Sequence, residues 1–174
     1  MKFFVESYGC AQNIAFGRGV EEALREKGLS QAGSSDEADL VVVNTCTVKR
    51  VTESRMLHRI ASLRSQRKQL LITGCMATAQ PGILLKLVDK DQIVPLEYMK
   101  SCGLAPLAKK KEFSEEWSKC LPEIPSTPIR GRAILPISRG CLGTCSYCIV
   151  KRAVGPLRSY GKEEIISKAK ETLG

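Results

Sequence analysis

The sequence predicts an α/β fold in two unequal pieces: a parallel sheet covered by helices over residues 1–108, and the first strand-loop-helix unit of a second domain over residues 132–174. Three observations carry this. Short apolar runs alternate with segments of helical periodicity across residues 1–100. Leu40-Val41-Val42-Val43 is continuously apolar, as suits a central strand buried on both faces. Residues 109–131 then open on Lys109-Lys110-Lys111 and carry Pro122, Pro125 and Pro128, the composition of an extended interdomain linker.

Four strands are expected in the first piece: Phe3 to Glu6, Leu40 to Val43, Leu70 to Thr73 and Ile93 to Val94. Between the first two, Phe16, Val20, Ala23 and Leu24 recur at helical spacing, and Gly28 supplies a stop. Between the second and third, Met56, Ile60 and Leu63, with Leu57 and Ala61, form an apolar stripe. Pro81 suits the first turn of a third helix running through Leu84, Leu85 and Val88. In the linker, Trp117 is expected to pack onto a domain. Beyond it, Ala133 to Ser138 reads as a strand, irregular at Pro136, and residues 162–173 as a helix.

The chain has 174 residues, enough for one well-buried domain and part of another. No apolar run approaches the roughly 20 residues that cross a bilayer, and the start lacks a signal peptide's apolar core. These features predict a cytoplasmic protein without a membrane partner. In a reducing compartment its eight cysteines are expected as metal ligands or reactive thiols. The net charge of +9 is clustered. Lys49, Arg50, Arg55, Arg59, Arg64, Arg67 and Lys68 oppose only Glu53 between residues 49 and 68, and Arg139, Lys151, Arg152 and Arg158 bracket a cysteine loop. Either run alone fits a solvated face; two runs beside cysteines point to a nucleic-acid partner.

Two cysteine triads carry the chemistry. Cys141-Leu-Gly-Thr-Cys145-Ser-Tyr-Cys148 spaces three thiolates around one metal centre and leaves a position open, as on a four-iron cluster. Structural zinc is the alternative, but no fourth ligand follows Cys148 and the single histidine, His58, is far upstream. The other triad is spread along the chain: Cys10, Cys46 and Cys75 each follow a predicted strand. In a parallel sheet those ends share the edge where ligands of open α/β folds bind, so the three thiols are expected to converge. Gly9 and Gly74 would admit a bulky inorganic core, while Asn13, Asn44 and Thr45 read as helix caps before sulfide-bonding groups. Cys102 and Cys120 fit neither triad and are assigned no role.

The loop Cys-x3-Cys-x2-Cys, with aromatic Tyr147 before the third cysteine, resembles the cluster loop of the radical S-adenosylmethionine superfamily. With Glu6-Ser-Tyr-Gly-Cys10-Ala-Gln-Asn13, Asn44-Thr-Cys46 and Thr73-Gly-Cys75 added, the whole chain resembles the methylthiotransferase family, in order. The resemblance implies a Rossmann-like domain whose Cys10, Cys46 and Cys75 hold an auxiliary 4Fe-4S cluster. It also implies a radical barrel in which Cys141, Cys145 and Cys148 hold a second 4Fe-4S cluster that binds S-adenosylmethionine near Tyr147. One S-adenosylmethionine would methylate a sulfur, and another, with an electron donor, would yield the radical that activates the substrate. No catalytic side chain is implied beyond these ligands.

Family substrates are isopentenyladenosine or threonylcarbamoyladenosine beside a tRNA anticodon, or a ribosomal-protein aspartate. Glu-Ser-Tyr-Gly-Cys-Ala-Gln-Asn and Cys-Ile-Val-Lys-Arg-Ala resemble most the archaeal and eukaryotic branch acting on threonylcarbamoyladenosine in tRNA. Ala15-Phe16-Gly17 departs from the acidic residue and serine of many relatives. The chain stops at Gly174, whereas a complete αβ barrel takes roughly 200 residues or more. It therefore reads as truncated and inactive alone. A non-catalytic iron-sulfur or tRNA-binding module is the competing expectation.

Overall fold

The computed structural model describes residues 1–95 and 133–173. The linker expected over 109–131, Trp117, Cys102 and Cys120 lie outside the described residues.

The first unit is a four-stranded, all-parallel sheet in the order β2-β1-β3-β4. Its strands are β1 (Lys2–Ser7), β2 (Ser30–Gln31), β3 (Leu40–Thr45) and β4 (Gln69–Gly74). Period-two alternation along β3 divides the core between two faces. Leu40 and Val42 join Phe3, Val5 and Leu71 under α1 (Ala11–Glu26), through its Phe16, Val20 and Leu24. Val41 and Val43 join Leu70 and Ile72 under α2 (Arg50–Ser65), through Met56, Ile60 and Leu63. The unbroken apolar run of β3 is thus a strand covered on both faces, as its composition predicts.

Gly28 stops α1 as expected, in the left-handed region at φ +79°. The turn it makes lays Ser30–Gln31 beside β1, where Ala32 N–H donates to Phe3 O at 2.7 Å. β2 is short, polar and exposed, so no hydrophobic pattern announces it. On the other side, the expected strand at Ile93–Val94 is reduced to one bridge between Ile72 and Ile93, with Val94 N–H donating to Ile72 O at 2.8 Å. Two helices occupy the stretch where one is expected: α3 (Cys75–Ala79), and α4 (Pro81–Leu84) with proline in its first turn. α4 ends well before Val88; pinned by Leu84 and Val88 in the core, the segment continues as turns.

In the second unit the expected strand Ala133 to Ser138 is not formed. Only β5 (Ser138–Arg139) pairs, antiparallel to β6 (Arg158–Ser159). Pro136 has no N–H for a ladder, and among the described residues no parallel neighbour lies beside this segment. α5 (Ile149–Val154) follows the cysteine loop, and α6 (Lys162–Leu173) matches the expected helix.

Candidate functional site

Strand register builds the site. Ser7 lies opposite Asn44, Asn44 opposite Thr73, and Thr45 opposite Gly74, so β1, β3 and β4 end together. Cys46 directly follows β3, Cys75 opens α3 directly after β4, and Cys10 is the N-cap of α1. All three cysteines therefore stand at one sheet edge, as the sequence predicts.

A polar strap ties that edge. The Asn13 side-chain amide donates to Tyr8 O at 2.6 Å and Thr45 O at 3.1 Å, while its Oδ1 faces Cys75 Sγ at 3.9 Å. The Asn44 amide donates to Asn13 O at 2.7 Å and Ser7 Oγ at 3.3 Å. Neither asparagine caps a helix, contrary to expectation. Both are buried, and their amides are committed to the carbonyls of Tyr8, Thr45 and Asn13 and to the Ser7 hydroxyl, as buried polar groups require partners. Thr45 does meet a helix start: its hydroxyl accepts from Met76 N–H at 3.2 Å and donates to Thr73 O. Asn44 Oδ1 and Thr73 Oγ1 are buried and find no hydrogen-bond partner among the described residues.

Two glycines are required here. Gly9, at φ +106°, passes so close to Cys46 that a Cβ would stand 2.7 Å from its Sγ. Gly74, at φ +92°, would place a Cβ 2.4 Å from Thr45 O. Within Ala15-Phe16-Gly17, Gly17 lets α1 settle on the Ser7 side chain, and Phe16 enters the core. Beside the edge, Arg59 grips Glu6 through two nitrogens, at 2.6 and 3.0 Å, and reaches Ser35 Oγ at 2.7 Å. Tyr8 donates to Glu6 at 3.0 Å; burial, then the Glu6 charge and this bond, push its phenol up to about 12.

In the second triad, Cys141 and Cys148 are half-buried and Cys145 is exposed. Gly143 N–H donates to Cys141 Sγ at 3.3 Å, and a Cβ on Gly143 would lie 3.7 Å from Cys145 Sγ, so these two thiols flank one glycine. Cys148 is the N-cap of α5, Lys151 Nζ donates to Cys141 O, and Tyr147 is 90% exposed.

Thiolate donors suit iron-sulfur clusters and soft metals, and each triad supplies three. Among the described residues, however, no three Cys, His, Asp or Glu side chains stand in a metal-holding arrangement, and the six described cysteines form no disulfide with one another. The backbone gathers Cys10, Cys46 and Cys75 at one edge while their side chains remain exposed, buried and half-buried respectively. Donor chemistry and shared edge fit a thiolate-held group.

The charge runs are dispersed by the fold. α2 starts at the cysteine edge and returns to the opposite one, so Lys49, Arg50 and Arg55 lie near the cysteines, whereas Arg64, Arg67 and Lys68 lie away from them. Arg59 is engaged by Glu6, and Arg139, expected on a cationic face, is buried over the Phe16 ring. A charge run read along a sequence cannot reveal these partners.

Residues 2–95 match the family model described as Uncharacterized protein family UPF0004. The chain belongs to this family. The UPF0004 match covers the unit that bears Cys10, Cys46 and Cys75. Similar proteins include the "Probable threonylcarbamoyladenosine tRNA methylthiotransferase" of Methanocaldococcus jannaschii, 35% identical over 99% of this chain and 41% of its own length. The Pyrococcus horikoshii protein of the same name is 33% identical over 98% of this chain and 41% of its own. The Danio rerio "Threonylcarbamoyladenosine tRNA methylthiotransferase" is 29% identical over 99% and 33%. The resemblance to an archaeal and eukaryotic branch is therefore borne out, and the chain spans about two-fifths of its archaeal relatives' length.

Proposed function

We propose that this chain supplies the two cluster-binding loops of a radical methylthiotransferase that adds a methylthio group to threonylcarbamoyladenosine in tRNA. What supports this most is that the backbone sets Cys10, Cys46 and Cys75 at the ends of three adjacent parallel strands, in a chain alignable almost throughout with relatives of that name. Cys10, Cys46 and Cys75 would hold an auxiliary 4Fe-4S cluster; Cys141, Cys145 and Cys148 would hold another, with S-adenosylmethionine beside Tyr147. When bound, these groups would supply a methylthio donor and a hydrogen-abstracting radical. The chain's own residues position them: Gly9 and Gly74 keep side chains off the edge, the Asn13–Asn44 strap holds the ends of β1 and β3 together, and the Thr45 hydroxyl ties β3 to the end of β4.

The proposed organisation is a cluster domain over 1–108, a linker over 109–131 and a radical domain from 132. The working site would be the cytoplasm, with tRNA, S-adenosylmethionine and an electron donor as partners. Among the described residues no helix is long and apolar enough to cross a membrane. The activity is proposed for a polypeptide of the relatives' length, the 174 residues alone binding clusters without turnover.

Anaerobic reconstitution tests the assignment. Two four-iron clusters per chain are expected, one lost in Cys46→Ala and the other in Cys145→Ala. A single zinc and no iron would make the chain a structural metal module instead. With a polypeptide of the relatives' length, S-adenosylmethionine and reductant, tRNA carrying threonylcarbamoyladenosine should gain the mass of a methylthio group. Gain on isopentenyladenosine alone would reassign the substrate.

A further inference from the structure

We propose that Arg139 is a positioning residue: buried over Phe16, it docks the loop of Cys141, Cys145 and Cys148 onto the helix capped by Cys10, and so fixes how the two triads face each other. This rests on the proposed function only for what the triads hold.

An arginine that is 8% exposed needs compensation for leaving water. Its guanidinium carbon lies 5.4 Å from the Phe16 ring centroid, within the range of a cation–π contact. The two partners come from different units. Arg139 is in β5, two residues before Cys141, and Phe16 is on α1, whose N-cap is Cys10. A second contact has the same logic: α3, opened by Cys75, packs on α5, capped by Cys148. The buried residues of these helices include Ala77, Ala79 and Ala153, small enough to let the backbones approach closely. Both contacts therefore join elements that begin at or adjoin cysteines of different triads. Tyr160 of the second unit is also buried and lies within electrostatic reach of Arg139. The planar, always-charged guanidinium is suited to stacking on a ring, which lysine reproduces only as a point charge.

Hydrogen exchange of the metal-free chain, followed by electron paramagnetic resonance of the reconstituted one, tests the docking. Arg139→Gln and Phe16→Leu should speed exchange over residues 75–79 and 149–154 by about tenfold, the size of a desolvated cation–π contact, while β1, β3 and β4 keep their protection. Arg139→Lys should fall between Arg139→Gln and the unchanged chain. After reconstitution, Arg139→Gln should retain its iron but lose the magnetic interaction between the two reduced clusters. Unaltered exchange in Arg139→Gln, or no advantage of lysine over glutamine, would overturn the proposal even if Phe16→Leu failed to fold. Retention of the magnetic interaction would overturn it too. Should the unchanged chain take up no iron and yet show this exchange pattern, the docking stands and the cluster assignment fails.

Discussion

A single methyl group distinguishes the glycines of this chain. Gly28 has positive φ, but a Cβ added there would meet nothing within 4 Å among the described residues, so Gly28→Ala should cost about 1 kcal/mol, the left-handed penalty alone. Gly9→Ala should cost more, because its Cβ meets Cys46 Sγ, a side chain able to turn aside. Gly74→Ala should cost most: at φ 92°, ψ −163° the conformation alone is worth about 1–3 kcal/mol, and the new atom meets the Thr45 backbone. Urea denaturation of the three variants checks the order, and equal losses would refute the close approach at the cysteine edge. Tyr160 gives a second test. Its hydroxyl is buried and finds no hydrogen-bond partner among the described residues, so Tyr160→Phe should leave stability unchanged or raise it by about 1 kcal/mol. Burial also raises its pKa above the ordinary value near 10. The unfolded chain then ionises first as pH climbs past about 10, so stability is whole below that pH and declines through the folded pKa. Denaturation at pH 9 and pH 11 should show a smaller decline in Tyr160→Phe than in the unchanged chain.

Between elements, the Arg59–Glu6 pair fastens α2 to β1. Glu6 keeps only 14% of its side chain exposed, so losing the guanidinium leaves a part-buried carboxylate with the Tyr8 hydroxyl still donating to it but no cation beside it. Arg59→Met should cost about 1.5–3 kcal/mol, the range for hydrogen bonds to charged groups, and adding Glu6→Gln should recover part of it. Thermal denaturation of the single and double variants checks this; purely additive losses would show that the pair does not act as a unit. Elements of this kind mark the limit of the sequence reading. The strands flanked by apolar runs, the helix stripes of α1 and α2, and the cysteine edge were legible because burial imprints periodicity on residues such as Val41, Val43, Met56 and Ile60. β2 was not, because two exposed polar residues pair through backbone alone. Ala133 to Ser138 has strand composition without a parallel neighbour among the described residues, and composition does not report neighbours. The Asn13 strap and the Arg139–Phe16 stack join residues far apart in the chain, so no local pattern encodes them.

At the scale of the whole molecule, charge is placed by topology. Because α2 runs from the cysteine edge back across the sheet, a helix of its length separates two equal cationic groups by about 20 Å: Lys49, Arg50 and Arg55 near the cysteines, and Arg64, Arg67 and Lys68 away from them. If tRNA presents a base to the cysteine edge, the phosphates beside that base fall near the first group. Neutralising Lys49, Arg50 and Arg55 with glutamine should then weaken tRNA binding and flatten its dependence on salt by about 2 in the logarithmic slope, for three contacts at about 0.7 each. The same change at Arg64, Arg67 and Lys68 alters net charge equally but should leave most of the slope intact. Filter binding over a range of salt concentrations separates the cases. Equal effects from both groups would mean that the RNA responds to total charge, and would remove the argument that it approaches the sheet edge where Cys10, Cys46 and Cys75 meet.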